Sequence, residues 1–371
     1  MRIKRHFEML RRMDWLLTLA MVLLALGSVA FIYSASYRGP DQPMPDYFKM
    51  QIVWFSIGLI LYLTVALIDY RLVCQWAALW YALAIGLLVL VLLIGSRVHG
   101  SKSWLGFAGL GIQPAEFAKL AVIAAISYYL FHRTPELRRR WRTLVGALLL
   151  VAAPAALILA QPDFGSAMVL IPICFGLMFV SGVRVKHLML VIVLGLALAP
   201  VAWMKLKDYQ KARLTVFLDP SKDPLGAGWN LNQSLIAVGS GGLRGKGYLQ
   251  GTQNLLGYLP RTVAPNDFLF SVIAEEEGFV GSACVVGLYA AVLASGLRIA
   301  ARARDRLGML LATGVVVMLF FHIFINVGMT IGLVPITGLP LPLLSYGGSF
   351  VLASMTALGL LQNVWIHRRV Y

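Results

Sequence analysis

The chain has 371 residues, of which 59% are hydrophobic and 13% charged, and its mean hydropathy is +0.79. Soluble domains are about half apolar and about a quarter charged, so the composition excludes an ordinary soluble protein and indicates a polytopic membrane protein. The net charge of +16 does not indicate nucleic acid as a partner, because the basic residues form short clusters between apolar segments. Three widely spaced cysteines indicate neither a disulfide framework nor a structural zinc site.

Ten apolar stretches have roughly the 20 residues that a membrane-spanning helix needs. They are, approximately, Trp15 to Ser34, Gln51 to Asp69, Trp76 to Ile94, Pro114 to Phe131, Thr143 to Ala160, Ser166 to Ser181, His187 to Met204, Phe268 to Leu297, Gly308 to Thr330 and Ser349 to Trp365. They predict an all-α integral membrane protein with about ten transmembrane helices, in a single domain over residues 1–371. The first stretch is interpreted as a retained helix, since no signal-peptide cleavage pattern stands out.

The distribution of Lys and Arg predicts the orientation. An even number of spans places both termini on one side, where the short segments carry 19 basic residues. The short loops of the opposite side carry four, namely Arg38, Lys49, Arg97 and Lys102. Since positive charge marks the cytoplasmic side, both termini are predicted to be cytoplasmic.

One long polar segment, about residues 205–267, separates the seventh and eighth stretches and is predicted to be extracytoplasmic. Loops of this length are usually functional or disordered. Trp229, Leu235 and Ile236 favour an ordered loop that lies on the membrane surface.

A cluster of acids ends this segment and begins the next span. Asp267 and Glu275 to Glu277 are four carboxylates beside a long apolar stretch. Because a charged group in or near a bilayer costs a few kcal/mol or more, such residues are functional candidates by default. Asp267 is the predicted site of the chemistry.

Glu116 and Lys119 lie one helical turn apart at the outer start of the fourth span. Residues at this spacing share a helix face, so their charges can partly neutralise each other. Two interpretations stay open: a structural ion pair between helices, and a pocket wall whose lysine contacts an anionic ligand.

Asp163 stands in the sequence Gln-Pro-Asp-Phe-Gly-Ser, between two apolar stretches on the outer side. Pro and Gly interrupt the helix there, and broken helices at membrane depth are tolerated where they line a cavity or are buried in protein. Asp163 can be a helix N-cap or a pocket residue, and the sequence favours neither.

The glycine-rich segment from Gly226 to Gly247 contains Arg244 and Lys246. Its Gly-Ser-Gly-Gly run is similar to a phosphate cradle, but the nucleotide P-loop pattern is missing. Nucleotides are scarce outside the cell, so a bound phosphate would belong to a lipid diphosphate. Arg244, Lys246 and Lys119 are candidates to hold it.

Two further segments are polar near the membrane. The proline- and glycine-rich segment from Pro335 to Ser349 predicts a re-entrant or irregular outer structure. Ser345 within it is a candidate substrate contact, although a structural role is favoured. His322 and Asn326 share one helix face, which favours a hydrogen bond between helices over catalysis.

Together these segments resemble the SEDS family (shape, elongation, division and sporulation) of polytopic cell-wall proteins. The matching pieces keep the family's order and cover nearly the whole chain: Tyr33 to Ser36, Gln113 to Lys119, Gln161 to Ala167, Gly239 to Gly247, Asp267 to Phe270 with Ala274 to Glu276, Asn326 to Gly332, and Thr337 to Ser349. The chain departs from the family pattern where Arg261 follows Leu-Pro, where about two extra residues precede Asp267, and at Glu277. A changed loop path and a changed local charge are therefore expected.

The resemblance implies a peptidoglycan glycosyltransferase that polymerises lipid II at the outer face of the cytoplasmic (inner) membrane during cell elongation. Its implied partner is a class B penicillin-binding protein, and its implied leaving group is undecaprenyl diphosphate. The family's catalytic aspartate falls on Asp267. Glu116, Lys119 and Asp163 fall on positions that line the family's central cavity.

A single carboxylate suits this chemistry. A β-linked glycan made from an α-linked sugar diphosphate requires inversion, with a base that removes a proton from the acceptor hydroxyl. Glycosidases need a second carboxylic acid to protonate the leaving group, whereas a diphosphate leaves as a stable anion that cationic residues or a divalent cation can stabilise. A transporter that flips lipid-linked precursors and a membrane scaffold for wall synthesis remain alternatives from other classes.

Overall fold

The computed structural model describes residues 8–39, 45–98, 101–107, 110–205, 208–224, 226–260 and 263–368. Its helices in chain order are α1 (Trp15–Ser36), α2 (Tyr47–Leu67), α3 (Tyr70–Gln75), α4 (Ala77–Ile94), α5 (Pro114–Phe131), α6 (Pro135–Arg138), α7 (Trp141–Ala160), α8 (Phe164–Ser181), α9 (Val185–Lys205), α10 (Asp208–Leu218), α11 (Ala227–Ser240), α12 (Thr252–Leu255), α13 (Leu269–Ala301), α14 (Arg306–Thr330) and α15 (Gly348–Ile366). A short 3₁₀ helix spans Pro220–Lys222.

The predicted membrane helices are confirmed for most of the chain. Within the described ranges, nine helices are long and apolar enough to cross a membrane: α1, α2, α4, α5, α7, α8, α13, α14 and α15. The seventh predicted stretch forms α9, whose described apolar part, Val185–Val201, is shorter than a full span.

The interior of the bundle is formed by α5, α14 and α15, most of whose residues are buried, whereas α2 and α4 leave most of theirs uncovered. The uncovered side chains are largely Leu, Ile, Val and Trp. Such a surface suits hydrocarbon, because lipid does not drive apolar side chains into a core as water does.

The start of α1 and the end of α15 meet at one end of the bundle. The carboxylate of Asp14, which caps α1, lies 2.5 Å from an Arg298 nitrogen near the end of α13. The backbone N–H of Asp14 also donates to Gln362 near the end of α15. Arg71 and Asp305 form a second ion pair in this region, at 2.6 Å. We call this the arginine end. The lysine and arginine bias predicts that it is cytoplasmic.

The helix α13 is broken near its start. Gly278 has φ 65° and ψ −157°, so the segment consists of a short helix before this residue and a long one after it. The glycine-rich segment fills the break. The N–H groups of Lys246 and Gly247 donate to the carbonyls of Glu275 and Glu276 at 3.0 and 2.8 Å. A Cβ on Gly245 would lie 2.0 Å from the Glu276 carbonyl oxygen, so glycine is required for this approach.

One feature differs from the all-α expectation. A small antiparallel sheet of three strands, β1 (Ser96–Val98), β2 (Ser101–Phe107) and β3 (Leu110–Ile112), lies between α4 and α5. β1 and β3 have only three residues each, and the seven residues of β2 do not alternate between polar and apolar side chains. The long outer segment contains the helices α10 to α12, and Ala237 of α11 packs on the bundle with no exposed surface.

Candidate active site

A cavity of about 1450 Å³ opens at the end of the bundle opposite the arginine end. Its wall is formed by β2, the turns before α5 and α8, the outer helices α10 and α11, the turn before α13, and the proline-rich segment before α15. Binding sites for ordinary small ligands occupy about 300–1,000 Å³. This cavity is therefore large enough for a substrate bigger than a typical metabolite.

Asp267 lies in the wall of this cavity, at the end of a tight turn. Its N–H donates to the carbonyl of Val263 at 2.9 Å. Its own carbonyl accepts from Asn326 Nδ2 at 2.9 Å, and the same amide donates to Leu339 O at 2.7 Å. Asn326 thus joins the turn to the proline-rich segment across α14, and both segments are held in place around the carboxylate.

The turn differs from the family pattern at its start but remains well connected. Val263 N–H donates to Pro260 O at 3.0 Å, and Tyr346 N–H donates to Pro265 O at 2.9 Å. Arg261 lies outside the described residues. The expected change of loop path therefore does not remove Asp267 from the cavity.

Electrostatics favour a proton exchange at Asp267 near neutral pH. Burial raises the pKa of its carboxyl to about 6, because the charged form loses solvation. The positive charge of Arg213 opposes this shift in pKa, and the nearby charge of Asp163 adds to it. A carboxylate with a raised pKa in a cavity is suited to general base chemistry.

Asp163 is both a helix N-cap and a residue of the cavity wall, which are the two interpretations that the sequence left open. Its Oδ1 accepts the N–H of Ser166 at 3.0 Å and so caps α8. Its Oδ2 accepts from Gln113 Nε2 at 2.8 Å, which links the starts of α5 and α8. Asp163 also lines the cavity with Asp267.

Glu116 and Lys119 lie beneath the cavity instead of in its wall. Their side chains form an ion pair of 2.8 Å and are 3% and 1% exposed. Lys119 Nζ is also 2.9 Å from His322 Nε2 on α14 and 5.8 Å from the centre of the Phe350 ring. Phe350 lines the cavity, so this buried polar group supports its floor.

The structure does not bring the other predicted contacts to the cavity wall. Lys246 Nζ lies 2.6 Å from Glu275 Oε1, beside the break in α13. Arg244 is exposed on the same glycine-rich segment. Ser345 is buried, and its hydroxyl accepts the N–H of Leu341 at 2.8 Å within the proline-rich segment. Their roles as substrate contacts stay predictions.

The cavity is also lined by two basic residues that were not predicted as site residues, Lys102 and Arg213. Arg213 on α10 donates to the Thr337 carbonyl at 3.0 Å. Lys102 on β2 donates to the carbonyls of Leu92 and Leu93 at 2.8 and 3.0 Å. For Lys102 the sequence did offer a signal, because it is one of only four basic residues in the short outer loops.

The site can remove a proton and stabilise negative charge. Asp267 places a carboxyl group in the cavity wall, and Lys102 and Arg213 place positive charge in the same cavity. Within the described part of the chain, no group of three or more His, Cys, Asp or Glu side chains could hold a metal ion. A divalent cation would have to share Asp163, Asp267 and substrate oxygens, which is a ligand set that Mg²⁺ accepts.

Comparisons with known proteins agree with one another. The Cell cycle protein family model, which covers FtsW, RodA and SpoVE, matches residues 13–370. Peptidoglycan glycosyltransferase MrdB of Escherichia coli is 38% identical over 95% of this chain and 94% of its own length. Stage V sporulation protein E of Bacillus subtilis is 37% identical over 95% of this chain and 96% of its own.

Solved structures give the same result. One similar structure is a chain of a peptidoglycan synthase complex, described as the structural coordination of polymerization and crosslinking. It matches with a TM-score of 0.81 and 32% identity, over 96% of this chain and 98% of that chain. The rod shape determining protein RodA of Thermus thermophilus matches with a TM-score of 0.70 and 30% identity, over 96% and 97%. This chain therefore belongs to the FtsW, RodA and SpoVE family of peptidoglycan glycosyltransferases.

Proposed function

We propose that this chain polymerises lipid II into glycan strands at the outer face of the cytoplasmic membrane, during cell elongation, with Asp267 as the general base. The observation that carries the proposal is the position of this carboxyl. It lies in a cavity of about 1450 Å³ at the end of the bundle away from the arginine end, and its pKa is raised to about 6.

The reaction inverts the anomeric carbon of the donor. Asp267 accepts the proton of the acceptor GlcNAc 4-hydroxyl as its oxygen attacks that carbon. The bond from the carbon to the diphosphate oxygen breaks, and undecaprenyl diphosphate leaves with the electron pair. The leaving group is already an anion, so no second carboxylic acid is needed, in contrast to glycoside hydrolysis.

Arg213 and Lys102 are the side chains best placed to hold the diphosphate, because both line the cavity that contains Asp267. Fixed positive charge at a leaving anion lowers the barrier most when the groups are already positioned. The hydrogen bonds that each makes to backbone carbonyls supply this positioning. This assignment is preferred to Lys119, Arg244 and Lys246, which lie outside the cavity wall.

The polymerase is proposed to work with a class B penicillin-binding protein that crosslinks its product, in the membrane and without nucleic acid. The similarity to a chain of a peptidoglycan synthase complex, described as coordinating polymerization and crosslinking, supports this pairing. Coupling of the two reactions would place the second enzyme close to the open end of the cavity.

Transport of lipid-linked precursors is a less suitable function for this cavity. A transporter needs access from both membrane faces. Here the floor is formed by Phe350 over the buried pair of Glu116 and Lys119, which are 3% and 1% exposed. A scaffold role would not require a carboxyl with a raised pKa in the cavity.

The test is polymerisation of purified lipid II by the purified protein, with and without its penicillin-binding protein and divalent cations. A parallel assay measures movement of fluorescent lipid II across liposomes that contain the protein. Glycan polymer with no lipid movement is the expected result. Lipid movement without polymer would support the transporter, and neither activity would support the scaffold.

A further inference from the structure

A second concavity, of about 780 Å³, lies at the arginine end and is separate from the active site. It is formed by the turns that join α5 to α7 and α8 to α9. Four arginines line it, namely Arg139, Arg140, Arg142 and Arg184. Glu136 is the one acidic residue among its lining residues.

Within the described residues, the lining of this concavity keeps an excess of positive charge. Four arginines and one glutamate leave a formal charge of +3 on its lining, with His187 neutral. In the described ranges, none of the five ion pairs involves any of these arginines. Guanidinium groups bind phosphate oxygens with two parallel hydrogen bonds, so an anion of this type is the ligand that the lining suits.

The walls of the concavity are fixed to each other. Arg138, which is buried, donates to the carbonyl of Ser181 across the two turns at 3.4 Å and to that of Thr134 within its own turn at 3.4 Å. The lining is thus built on a defined backbone. His187 also lines it, and its Nδ1 is buried without a hydrogen-bond partner in the described structure.

An apolar surface continues from the concavity along the bundle. Leu190 and Leu194 follow His187 at helical spacing on α9, and they are 56% and 51% exposed. Trp141, at the start of α7, lines the concavity and is 62% exposed. Tryptophan is enriched at the boundary between headgroups and hydrocarbon. A ligand with a phosphate head and an acyl tail therefore fits the whole surface.

We propose that this concavity binds the phosphate of an anionic phospholipid from the leaflet at the arginine end, with the acyl chains lying along α9. The four arginines hold the phosphate, and α9 supplies the apolar surface. Basic pockets beside membrane helices commonly bind such headgroups. The site is independent of the reaction at Asp267.

The test is native mass spectrometry of the full chain titrated with dioleoyl phosphatidylglycerol or dioleoyl phosphatidylcholine. The variant Arg139→Gln/Arg142→Gln/Arg184→Gln removes three of the guanidinium groups. At least ten-fold weaker binding of phosphatidylglycerol is expected, since a hydrogen bond to a charged group contributes about ten-fold or more. The matched control, Arg302→Gln/Arg304→Gln/Arg306→Gln, removes the same charge at the same end and should bind within two-fold of wild type.

Three outcomes would overturn the proposal. An equal loss of phosphatidylglycerol binding in the two triple variants would indicate a general effect of surface charge. Equal binding of phosphatidylcholine would remove the requirement for an anion. Displacement of the lipid by an equimolar concentration of inorganic phosphate would indicate a free-phosphate site. Thermal unfolding checks that the variant is folded; if it is not, Arg142→Gln and Arg184→Gln are tested singly, and each should weaken binding at least three-fold.

Discussion

Arg213 is expected to serve the reaction in two ways. Its guanidinium lines the cavity and is held by the Thr337 carbonyl at 3.0 Å. Its charge also opposes the rise in the pKa of Asp267 that burial causes. The substitution Arg213→Gln removes the charge while keeping a hydrogen-bond donor of similar length.

The magnitude follows from the lost contact with the diphosphate. A hydrogen bond to a charged group contributes about 1.5–3 kcal/mol, and each 1.36 kcal/mol of barrier is ten-fold in rate. We therefore expect kcat/KM for lipid II to fall about 10- to 150-fold, and the loss to be larger in kcat than in KM if the contact strengthens in the transition state.

A change in the pH profile separates this role from a structural one. A general base works in its deprotonated form, so the rate should fall as pH drops through the Asp267 pKa of about 6. Without Arg213 the carboxylate loses a stabilising charge and its pKa rises further. The acid limb of the Arg213→Gln variant should therefore move to higher pH.

The assay is continuous polymerisation of fluorescent lipid II between pH 5 and 9. Arg213→Lys keeps the charge and should keep the acid limb near its wild-type position. Lys222→Gln removes an exposed charge from the same outer segment, outside the cavity wall, and should change neither rate nor pH profile. A rate within two-fold of wild type for Arg213→Gln, with an unmoved acid limb, would refute the reasoning.

Three further predictions concern the surroundings of the site. Lys119→Met leaves the Glu116 carboxylate buried without its partner and should lower the free energy of unfolding by about 3–5 kcal/mol. Adding Glu116→Gln should restore much of the lost stability. Thermal unfolding in detergent measures both effects. Gly245→Ala should cost about 1–3 kcal/mol or more, because φ is +77° and the new Cβ would clash with a carbonyl. Asp163→Asn should lower the pKa of Asp267, because it removes a negative charge that raises it, and should move the acid limb to lower pH.

The glycine prediction has a control variant, and each of the other two has an outcome that would contradict it. Gly239→Ala, inside α11, places a Cβ where nothing lies within 4 Å and should leave the unfolding temperature unchanged or slightly higher. If the double variant at the buried ion pair were no more stable than Lys119→Met alone, the stranded charge would not explain the loss. An acid limb that stays in place for Asp163→Asn would show that the two cavity carboxylates do not interact.

Much of the bundle could be predicted from the sequence, because a span in lipid needs a continuous apolar stretch of fixed length. The fourth span was predicted at Pro114 to Phe131, and the helix has those bounds. The sheet could not be predicted, because β1 and β3 have three residues each and alternation over three residues carries little signal.

The site was predictable only in part. Asp267 belongs to a cluster of four acids beside a long apolar stretch, and Asp163 stands in a predicted helix break; both line the cavity. The glycine-rich segment is similar in sequence to a phosphate cradle, and in the structure its glycines allow close contact with the carbonyls of the broken α13. A phosphate cradle and a close backbone contact both require glycine, so composition does not distinguish them. Arg213 was missed because α10 folds over the cavity only in the tertiary structure.

The most direct test of the central claim is the polymerisation rate of the Asp267→Asn variant, measured with saturating lipid II and the penicillin-binding partner present. The variant keeps the size of the side chain but cannot accept the proton, so the rate should fall about 10²- to 10⁴-fold. Its unfolding temperature should be equal to or above that of wild type, because burial disfavours the charged carboxylate that the variant removes. Asp219→Asn, at a half-buried carboxylate of the same outer segment that does not line the cavity, should polymerise like wild type. An Asp267→Asn variant that polymerises within ten-fold of wild type would contradict the assignment of Asp267 as the base.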